Sequence, residues 1–118
     1  MVFNVMANNR DDHVKNFAFM IDANQEWVLT PAYDLMYAEV PGGEHSMDLL
    51  GEGFSPGGQE VIQLGKKSGL STNEVNNSIE LVMTAVEKWP EYAQIAGVTK
   101  KTMNYIQKRM NRNLFPCS

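Results

Sequence analysis

The chain has 118 residues, of which 43% are hydrophobic and 20% are charged, and its net charge at pH 7 is −4. This composition excludes wholesale disorder, and no apolar run reaches the roughly 18 residues of a membrane-spanning helix. The single cysteine, Cys117, excludes an internal disulfide, and the net negative charge argues against nucleic-acid binding. We therefore expect one cytoplasmic domain over residues 1–118, with no membrane contact and no direct nucleic-acid binding.

Residues 8–16 read NNRDDHVKN, a dense group of hydrogen-bonding side chains. Apolar residues lie on both sides of this segment, at 2–6 and at 17–21. They predict that the polar segment is held between buried elements. A loop that is anchored in this way is suited to carry a functional site.

A β-hairpin is predicted next, because residues 17–21 and 26–30 are short aromatic and β-branched runs separated by a turn sequence. Pro31 lacks an amide hydrogen and should end the second strand. The segment from Glu39 to Gly58 is rich in glycine and predicts an irregular excursion with a short strand at 46–50. Long loops of this kind are often functional.

The rest of the chain predicts helices. A helix over 59–68 should end at the glycine cap Gly69, and the capping box of Ser71 and Glu74 should begin a longer helix that runs to residues 89–90. A short helical turn over 91–96 should end at Gly97, and Thr99 should cap a last helix. The buried stripe of that helix is expected to be Met103, Ile106 and Met110. The predicted class is α+β and mainly helical, with a small β-hairpin followed by a helical bundle.

Oxygen ligands meet at the open end of the predicted hairpin. Antiparallel pairing brings Asn16, before the first strand, close to Asp34, after the second. Mg²⁺ suits such a pair, since it takes few protein oxygens and leaves its other positions to water and phosphate. Asp11 lies five residues before Asn16. This spacing matches the protein-kinase catalytic loop, in which the aspartate accepts the substrate proton and the asparagine holds a metal.

The local signatures differ from those of standard protein kinases. Asp34 stands in PAYDL rather than in a D-F-G motif, although its order in the chain fits. His13 creates the pattern Asp-x-His-x-x-Asn with Asp11 and Asn16, which is similar to the catalytic loop of lipid kinases. We interpret the chain as an atypical phosphotransferase.

Three stretches of the chain together resemble the C-terminal region of HipA-family serine/threonine kinases. They are FNVMANNRDDHVKNFAFMID, WVLTPAYDL, and PGGEHSM with the following GEG. These kinases are the toxins of bacterial type II toxin-antitoxin pairs. The resemblance extends beyond residue 54 through LGKKSGL, AVEKWPEYAQIAGV and the last helix, which are similar to the closing helical bundle of the family. It implies an atypical protein-kinase-like C-terminal lobe.

The resemblance also implies roles and partners. The catalytic residues would be Asp11, as the base, and Lys15, as a cation near the transferred phosphate. His13 would belong to the same set and, with Asp12, would support the loop. Asn16 and Asp34 would hold Mg²⁺. The implied reaction transfers the γ-phosphate of ATP to a serine or threonine of a protein target, tRNA-charging enzymes being among such targets. The implied partner is a small DNA-binding antitoxin.

The N-terminal lobe is missing from this sequence, since only ten residues precede Asp11. GEGFSPGG does not replace a phosphate-binding loop, because it lacks the strand-loop-helix context and the following lysine. Phosphoryl transfer depends on positioning and charge stabilisation, so we expect a fragment of a larger kinase that is inactive alone. The alternative is a non-catalytic binding module that sequesters an antitoxin or target protein.

Other interpretations remain open at this stage. A divalent-metal hydrolase built from Asp11, Asp12, His13 and Asp34 is the least favoured, because this is a poor set of transition-metal ligands. His13 alone is more typical of a structural side chain, and His45 either contacts nucleotide or substrate or stabilises its loop. The last helix is expected to expose a solvated basic face rather than a binding site. The basic residues concerned are Lys100, Lys101, Lys108, Arg109 and Arg112.

Overall fold

The computed structural model describes residues 1–53 and 56–110. In chain order it contains α1 (Val2–Met6), a 3-10 turn (Val14–Asn16), β1 (Phe19–Ile21), β2 (Trp27–Leu29), α2 (Gly58–Lys67), α3 (Thr72–Val86), α4 (Trp89–Ile95) and α5 (Lys100–Met110). The fold is α+β and mainly helical, which confirms the predicted class. Arg112, Cys117 and positions 54–55 of the glycine-rich loop lie outside the described residues. No helix in the described ranges has both the length and the apolar character needed to cross a bilayer.

The hairpin forms where it was predicted, with shorter strands. Phe19 pairs with Leu29 and Ile21 pairs with Trp27 in an antiparallel register. Directly opposed residues share one face of a sheet, so these four apolar side chains lie side by side. They are between 55% and 72% exposed. We call this group the hairpin face.

Helix caps mark the end of α2 and the beginning of α3. The Leu70 amide donates to the Gly65 carbonyl (3.0 Å), and Gly69 has a φ of +85°, so α2 ends in the predicted glycine cap. The predicted capping box begins α3, where the Ser71 and Glu74 side chains each accept a hydrogen bond from the other residue's backbone amide.

The break between α3 and α4 lies earlier than predicted. Instead of running to residues 89–90, α3 ends at Val86, and α4 begins at Trp89 with Pro90 in its first turn. Proline is tolerated in the first turn of a helix because its missing amide hydrogen would have no helical partner there. As predicted, Thr99 caps α5, its hydroxyl accepting a hydrogen bond from the Thr102 amide (3.2 Å).

The core lies between α1, α2 and α3 and includes the buried side of α5. Its buried apolar residues are Val5, Met6, Ala7, Leu49, Val61, Val75, Ile79, Val86, Ile106 and Met110. Gly65 lets α2 approach α3 closely, because a Cβ at that position would lie 2.4 Å from Val75 Cγ2. Helix α1 was not predicted, because residues 2–6 indicated only an apolar segment and no helix.

The predicted strand at 46–50 is wrong. Leu49 and Glu52 instead exchange backbone hydrogen bonds (2.9 and 3.0 Å) around a tight turn at Leu50 and Gly51. Both turn residues have positive φ, +57° and +92° respectively. The turn sends the chain back after Leu49, which is fully buried and contributes to the core. The segment therefore anchors the long loop at one leucine.

Candidate functional site

The polar segment at residues 8–16 is framed by a parallel pairing with the chain that follows Asp34. The Arg10 amide donates to the Ala38 carbonyl (3.0 Å), and the Ala38 amide donates to the Asn8 carbonyl (3.2 Å). The chain then passes through the 3-10 turn into β1 and returns from β2 to Asp34. The two segments that carry the candidate residues are thereby fixed to one another.

Asn16 and Asp34 meet at the open end of the hairpin, as its geometry predicts. The Asn16 Nδ2 donates to Asp34 Oδ2 (3.2 Å) and to the backbone carbonyl of Asp11 (3.0 Å). Both bonds use the nitrogen of the Asn16 amide, and no hydrogen bond to Asn16 Oδ1 is formed by the described residues. Asp34 has a φ of +56°. A residue with a side chain is uncommon in the left-handed region, although aspartate is among those found there most often, and unusual backbone conformations cluster at functional sites.

This donor set fits Mg²⁺. Both residues offer hard oxygen donors, an amide oxygen on Asn16 and the carboxylate of Asp34, and Mg²⁺ takes its further ligands from water and phosphate. Because the amide nitrogen of Asn16 faces Asp34, the amide would have to turn over before both oxygens could share one ion. In the ranges that the structure describes, no three His, Cys, Asp or Glu side chains cluster as metal ligands. The set suggested for a divalent-metal hydrolase is therefore not assembled in those ranges; its members are Asp11, Asp12, His13 and Asp34. The roles of Asn16 and Asp34 as Mg²⁺ ligands stay predictions.

Asp11 presents an accessible carboxylate. Its Oδ1 lies 2.9 Å from His13 Nε2, and the two side chains are 51% and 49% exposed. This contact leaves Oδ2 of Asp11 open to solvent-borne groups. The geometry suits His13 to orienting Asp11, while the Asn16 amide holds the Asp11 backbone.

Lys15 lies in the 3-10 turn and exposes its side chain. Its carbonyl accepts a hydrogen bond from the Tyr33 hydroxyl (2.7 Å), which joins the turn to the segment before Asp34. The Lys15 ammonium forms no ion pair with the acidic side chains that the structure describes. The structure thus does not tie this ammonium to the other candidate residues.

Asp12 differs sharply from its neighbour Asp11, because it is 2% exposed. Its Oδ1 accepts hydrogen bonds from the backbone amides of Ser46 (2.8 Å) and Met47 (3.3 Å), and its Oδ2 accepts one from His45 Nδ1 (3.1 Å). Asp12 therefore fastens the long loop to the polar segment. This supports the loop-stabilising alternative for His45.

Burial lowers the pKa of His45 below its usual range, and this effect outweighs the opposing attraction of Asp12. The ring nitrogen Nε2 is buried and has no hydrogen-bond partner among the described residues. A proton added there would be buried, with neither solvent nor an acceptor to receive its hydrogen bond. The neutral ring, with its proton on Nδ1 facing Asp12, is the form that the site favours.

The basic face of α5 is only partly as predicted. Lys100, Lys101 and Lys108 are exposed. Arg109 instead lies 3.4 Å (Nε to Oε1) from Glu39, and its guanidinium donates to the Tyr105 hydroxyl (3.1 Å). Arg109 therefore connects α5 to the segment that follows Asp34, rather than belonging to a free solvated face.

A cavity of about 210 Å³ opens beside Asn16 and Asp34. Apolar atoms of Ala18, Leu29 and Tyr33 contribute to its walls. Pockets that enclose a drug-sized ligand usually measure about 300–1,000 Å³, so this cavity is smaller than a complete nucleotide site.

Comparison with known proteins identifies one family. A family model described as the HipA-like C-terminal domain matches residues 1–90. The matched range contains the polar segment, the hairpin, Asp34 and the long loop. No curated protein and no solved structure matched the chain.

Proposed function

Because this chain belongs to the HipA-like C-terminal domain family, we propose that it is the catalytic C-lobe of a kinase that phosphorylates a serine or threonine of a protein target. The observation that carries the proposal is the contact between Asn16 and Asp34, with the Asn16 amide also bound to the backbone of Asp11. One asparagine thus links the candidate base to the candidate metal ligand. Phosphoryl transfer needs these groups in a fixed relation.

In this proposal Asp11 accepts the proton of the target hydroxyl. The hydroxyl oxygen bonds to the γ-phosphorus while the bond from that phosphorus to the bridging oxygen breaks, and ADP leaves. The exposed Oδ2 of Asp11 is the atom that receives the proton, since Oδ1 is engaged with His13. Lys15, on the same turn, would contribute positive charge near the transferred phosphate.

Asn16 and Asp34 would hold Mg²⁺ through Asn16 Oδ1 and the Asp34 carboxylate. The chemistry that Mg²⁺ supplies at such a site is neutralisation of charge on the phosphate oxygens. The remaining contacts to ATP would come from an N-terminal lobe. The cavity beside Asn16 and Asp34 supports this division, because its volume of about 210 Å³ is too small to enclose a whole nucleotide. We therefore propose that residues 1–118 alone have little or no kinase activity.

The family supports a toxin-antitoxin context. Within that context we propose that the protein acts in the cytoplasm as the toxin of the pair and that a DNA-binding antitoxin is its partner. A tRNA-charging enzyme is one candidate target. We propose no direct contact of this chain with nucleic acid.

The test is phosphotransfer from ATP by the full-length protein, comparing Asp11→Asn, Asp34→Asn and the control Asp48→Asn. Asp48 is exposed and lies outside the Asn16–Asp34 site. We expect losses of about two to four orders of magnitude for the first two variants, because each removes a group that acts in the transition state. Wild-type activity in either variant would refute the assigned role, and a comparable loss in Asp48→Asn would show that the assay reports general damage.

A non-catalytic binding module is the second candidate, and the hairpin face favours it. Four exposed apolar side chains side by side are typical of surfaces that bind another protein. On this view the chain sequesters an antitoxin or a target. Trp27→Ser should then abolish binding to that protein, whereas Asp34→Asn should leave binding unchanged.

The mass of the native product separates the two candidates. The present chain has a mass of 13.3 kDa. A native species several-fold heavier, captured with an antibody against α5 and weighed by mass spectrometry, would favour the kinase, since it has room for an N-terminal lobe. A native species of 13.3 kDa would favour the binding module.

A further inference from the structure

Asn9 is a buried side chain that touches the segment carrying Asp34. It is 2% exposed. Its Nδ2 donates to the backbone carbonyl of Asp34 (3.0 Å) and to the side-chain carbonyl of Asn4 (3.2 Å), and its own backbone amide donates to the Asn4 carbonyl (2.8 Å). Asn9 thus connects α1 to the residue whose carboxylate is the candidate metal ligand.

The orientation of the Asn9 amide is dictated by its partners. Both atoms that face Nδ2 are carbonyl oxygens, so the reversed amide would set an oxygen against two oxygens. The Asn9 Oδ1 is buried and accepts no hydrogen bond from the described residues. An unpaired buried acceptor costs about 1–3 kcal/mol. The Asn9 side chain therefore makes two donated hydrogen bonds while its own oxygen stays unpaired.

Asp34 adopts an uncommon backbone conformation that its surroundings have to select. Its φ of +56° lies in the left-handed region, which most residues with a side chain avoid and which aspartate adopts occasionally, as a single residue. Residues in uncommon conformations persist where their surroundings hold them. The bond from Asn9 holds the Asp34 carbonyl, and the parallel pairing of Asn9 with Ala38 holds the chain four residues later. The direction of the Asp34 side chain follows from both restraints.

We propose that Asn9 is a positioning residue, which keeps Asp34 in the left-handed conformation that directs its carboxylate toward Asn16. The inference rests on the proposed function in one respect, that Asp34 and Asn16 bind a divalent cation. Residues that orient a metal ligand typically change metal affinity by roughly 10- to 100-fold when they are removed. Loss of the Asn9 donors should therefore weaken the metal site although the side chains of both proposed ligands, Asn16 and Asp34, are unchanged.

The probe is Mn²⁺ added to the isotopically labelled 118-residue chain, followed by two-dimensional NMR. Bound Mn²⁺ broadens the signals of nearby amides, and in wild type we expect saturable broadening at residues 16 and 34. Asn9→Ala removes the donors without adding charge, and Asn9→Leu does so with less change in volume. The control is Asn24→Ala, an exposed asparagine in the hairpin turn.

We expect the Asn9 variants to require roughly 10- to 100-fold more Mn²⁺ for half-maximal broadening, and Asn24→Ala to match wild type. A purely structural role would lower the urea midpoint and leave the Mn²⁺ affinity of the folded protein unchanged. Wild-type affinity in a folded Asn9 variant would overturn the inference, while leaving the metal role of Asp34 intact.

Absence of localised broadening in wild type would instead reject the metal role itself. The inference would then be judged on the Cα and Cβ chemical shifts of Asp34, which report its backbone conformation. A shift away from left-handed values in Asn9→Ala would support positioning by Asn9, and unchanged shifts would overturn it.

If neither Asn9 variant folds, wild type supplies the deciding measurement. The side-chain amide protons of Asn9 should exchange with solvent at least about tenfold more slowly than those of Asn24, because buried hydrogen bonds must open before exchange. Equal exchange rates would overturn the inference.

Discussion

Replacing Asp12 with alanine should destabilise the fold far more than the same change at Asp11, although the two aspartates are neighbours. The carboxylate of Asp12 is buried and accepts three hydrogen bonds, from the amides of Ser46 and Met47 and from the ring of His45. Hydrogen bonds to a charged group are worth about 1.5–3 kcal/mol each, but such values do not add within one network. Asp12→Ala leaves two backbone amides and the neutral His45 ring without their acceptor, and each unsatisfied buried donor costs about 1–3 kcal/mol, so we expect a loss of roughly 3 kcal/mol or more.

Asp11 provides the matched control. Its side chain contacts that of His13, and both side chains are about half exposed. Exposed pairs of this kind contribute about 0–1 kcal/mol, so Asp11→Ala should lower the free energy of unfolding by at most about 1 kcal/mol. Both variants are to be compared with wild type by urea unfolding, followed by circular dichroism. A small domain has only about 5–15 kcal/mol of stability, so the difference is readily resolved.

Equal stability losses in the two variants would refute the assignment of Asp12 as the anchor of the long loop. Should Asp12→Ala fail to fold, Asp12→Asn gives the same information. Its side-chain oxygen still accepts from the Ser46 and Met47 amides, so we expect a loss between those of the two alanine variants. If Asp12→Asn also fails to fold, the charge of Asp12, and not its hydrogen bonds to the Ser46 and Met47 amides, holds the loop.

The remaining predictions concern stability. The folded protein binds a proton at His45 less readily than the unfolded chain does, because the folded pKa is lowered. The free energy of unfolding should therefore keep its full value above about pH 6.5 and fall as the pH drops below it. The urea midpoint of His45→Gln should depend less on pH than that of wild type, and an equal dependence would show that His45 is not the cause. Gly65→Ala gains about 1 kcal/mol of helix propensity, but its Cβ would meet Val75 Cγ2 at 2.4 Å. Overpacking costs about 1–3 kcal/mol, so we expect Gly65→Ala to lower the free energy of unfolding. The loss should be smaller when Val75 is also replaced by alanine, because the clashing methyl group is then absent. A higher free energy of unfolding in Gly65→Ala would contradict the close packing of α2 on α3. Leu50→Asn should raise the free energy of unfolding by about 1 kcal/mol, because asparagine tolerates the φ of +57° in this turn better than leucine does. A urea midpoint lower than that of wild type would show that the contacts of the Leu50 side chain matter more than its backbone strain.

Local chemistry made several features predictable. The hairpin follows from two apolar runs around a turn sequence, and the cap of α3 follows from Ser71 and Glu74. The meeting of Asn16 with Asp34 follows from antiparallel pairing alone. Each of these rests on neighbours in sequence or on a single hairpin, which are the distances over which sequence patterns are informative.

Other features were missed because they depend on contacts between distant segments. The strand at 46–50 was predicted from residue types, but Leu49 is drawn into the core and the chain turns at Leu50. Arg109 was assigned to a solvated face, but Glu39 lies within reach only after α5 packs near the segment that follows Asp34. Tertiary packing overrides local preference in both cases.

The sequence by itself determined the order of Asp11, Asn16 and Asp34 around a hairpin, and with it the kind of chemistry to be expected. Only the tertiary structure decided which of the two adjacent aspartates is buried and which is accessible, and which asparagine supports Asp34. Asp11 and Asp12 have identical side chains, so no local pattern separates them. Their difference arises because Asp12 faces amides that lie more than 30 residues away in the chain, whereas Asp11 faces solvent and His13.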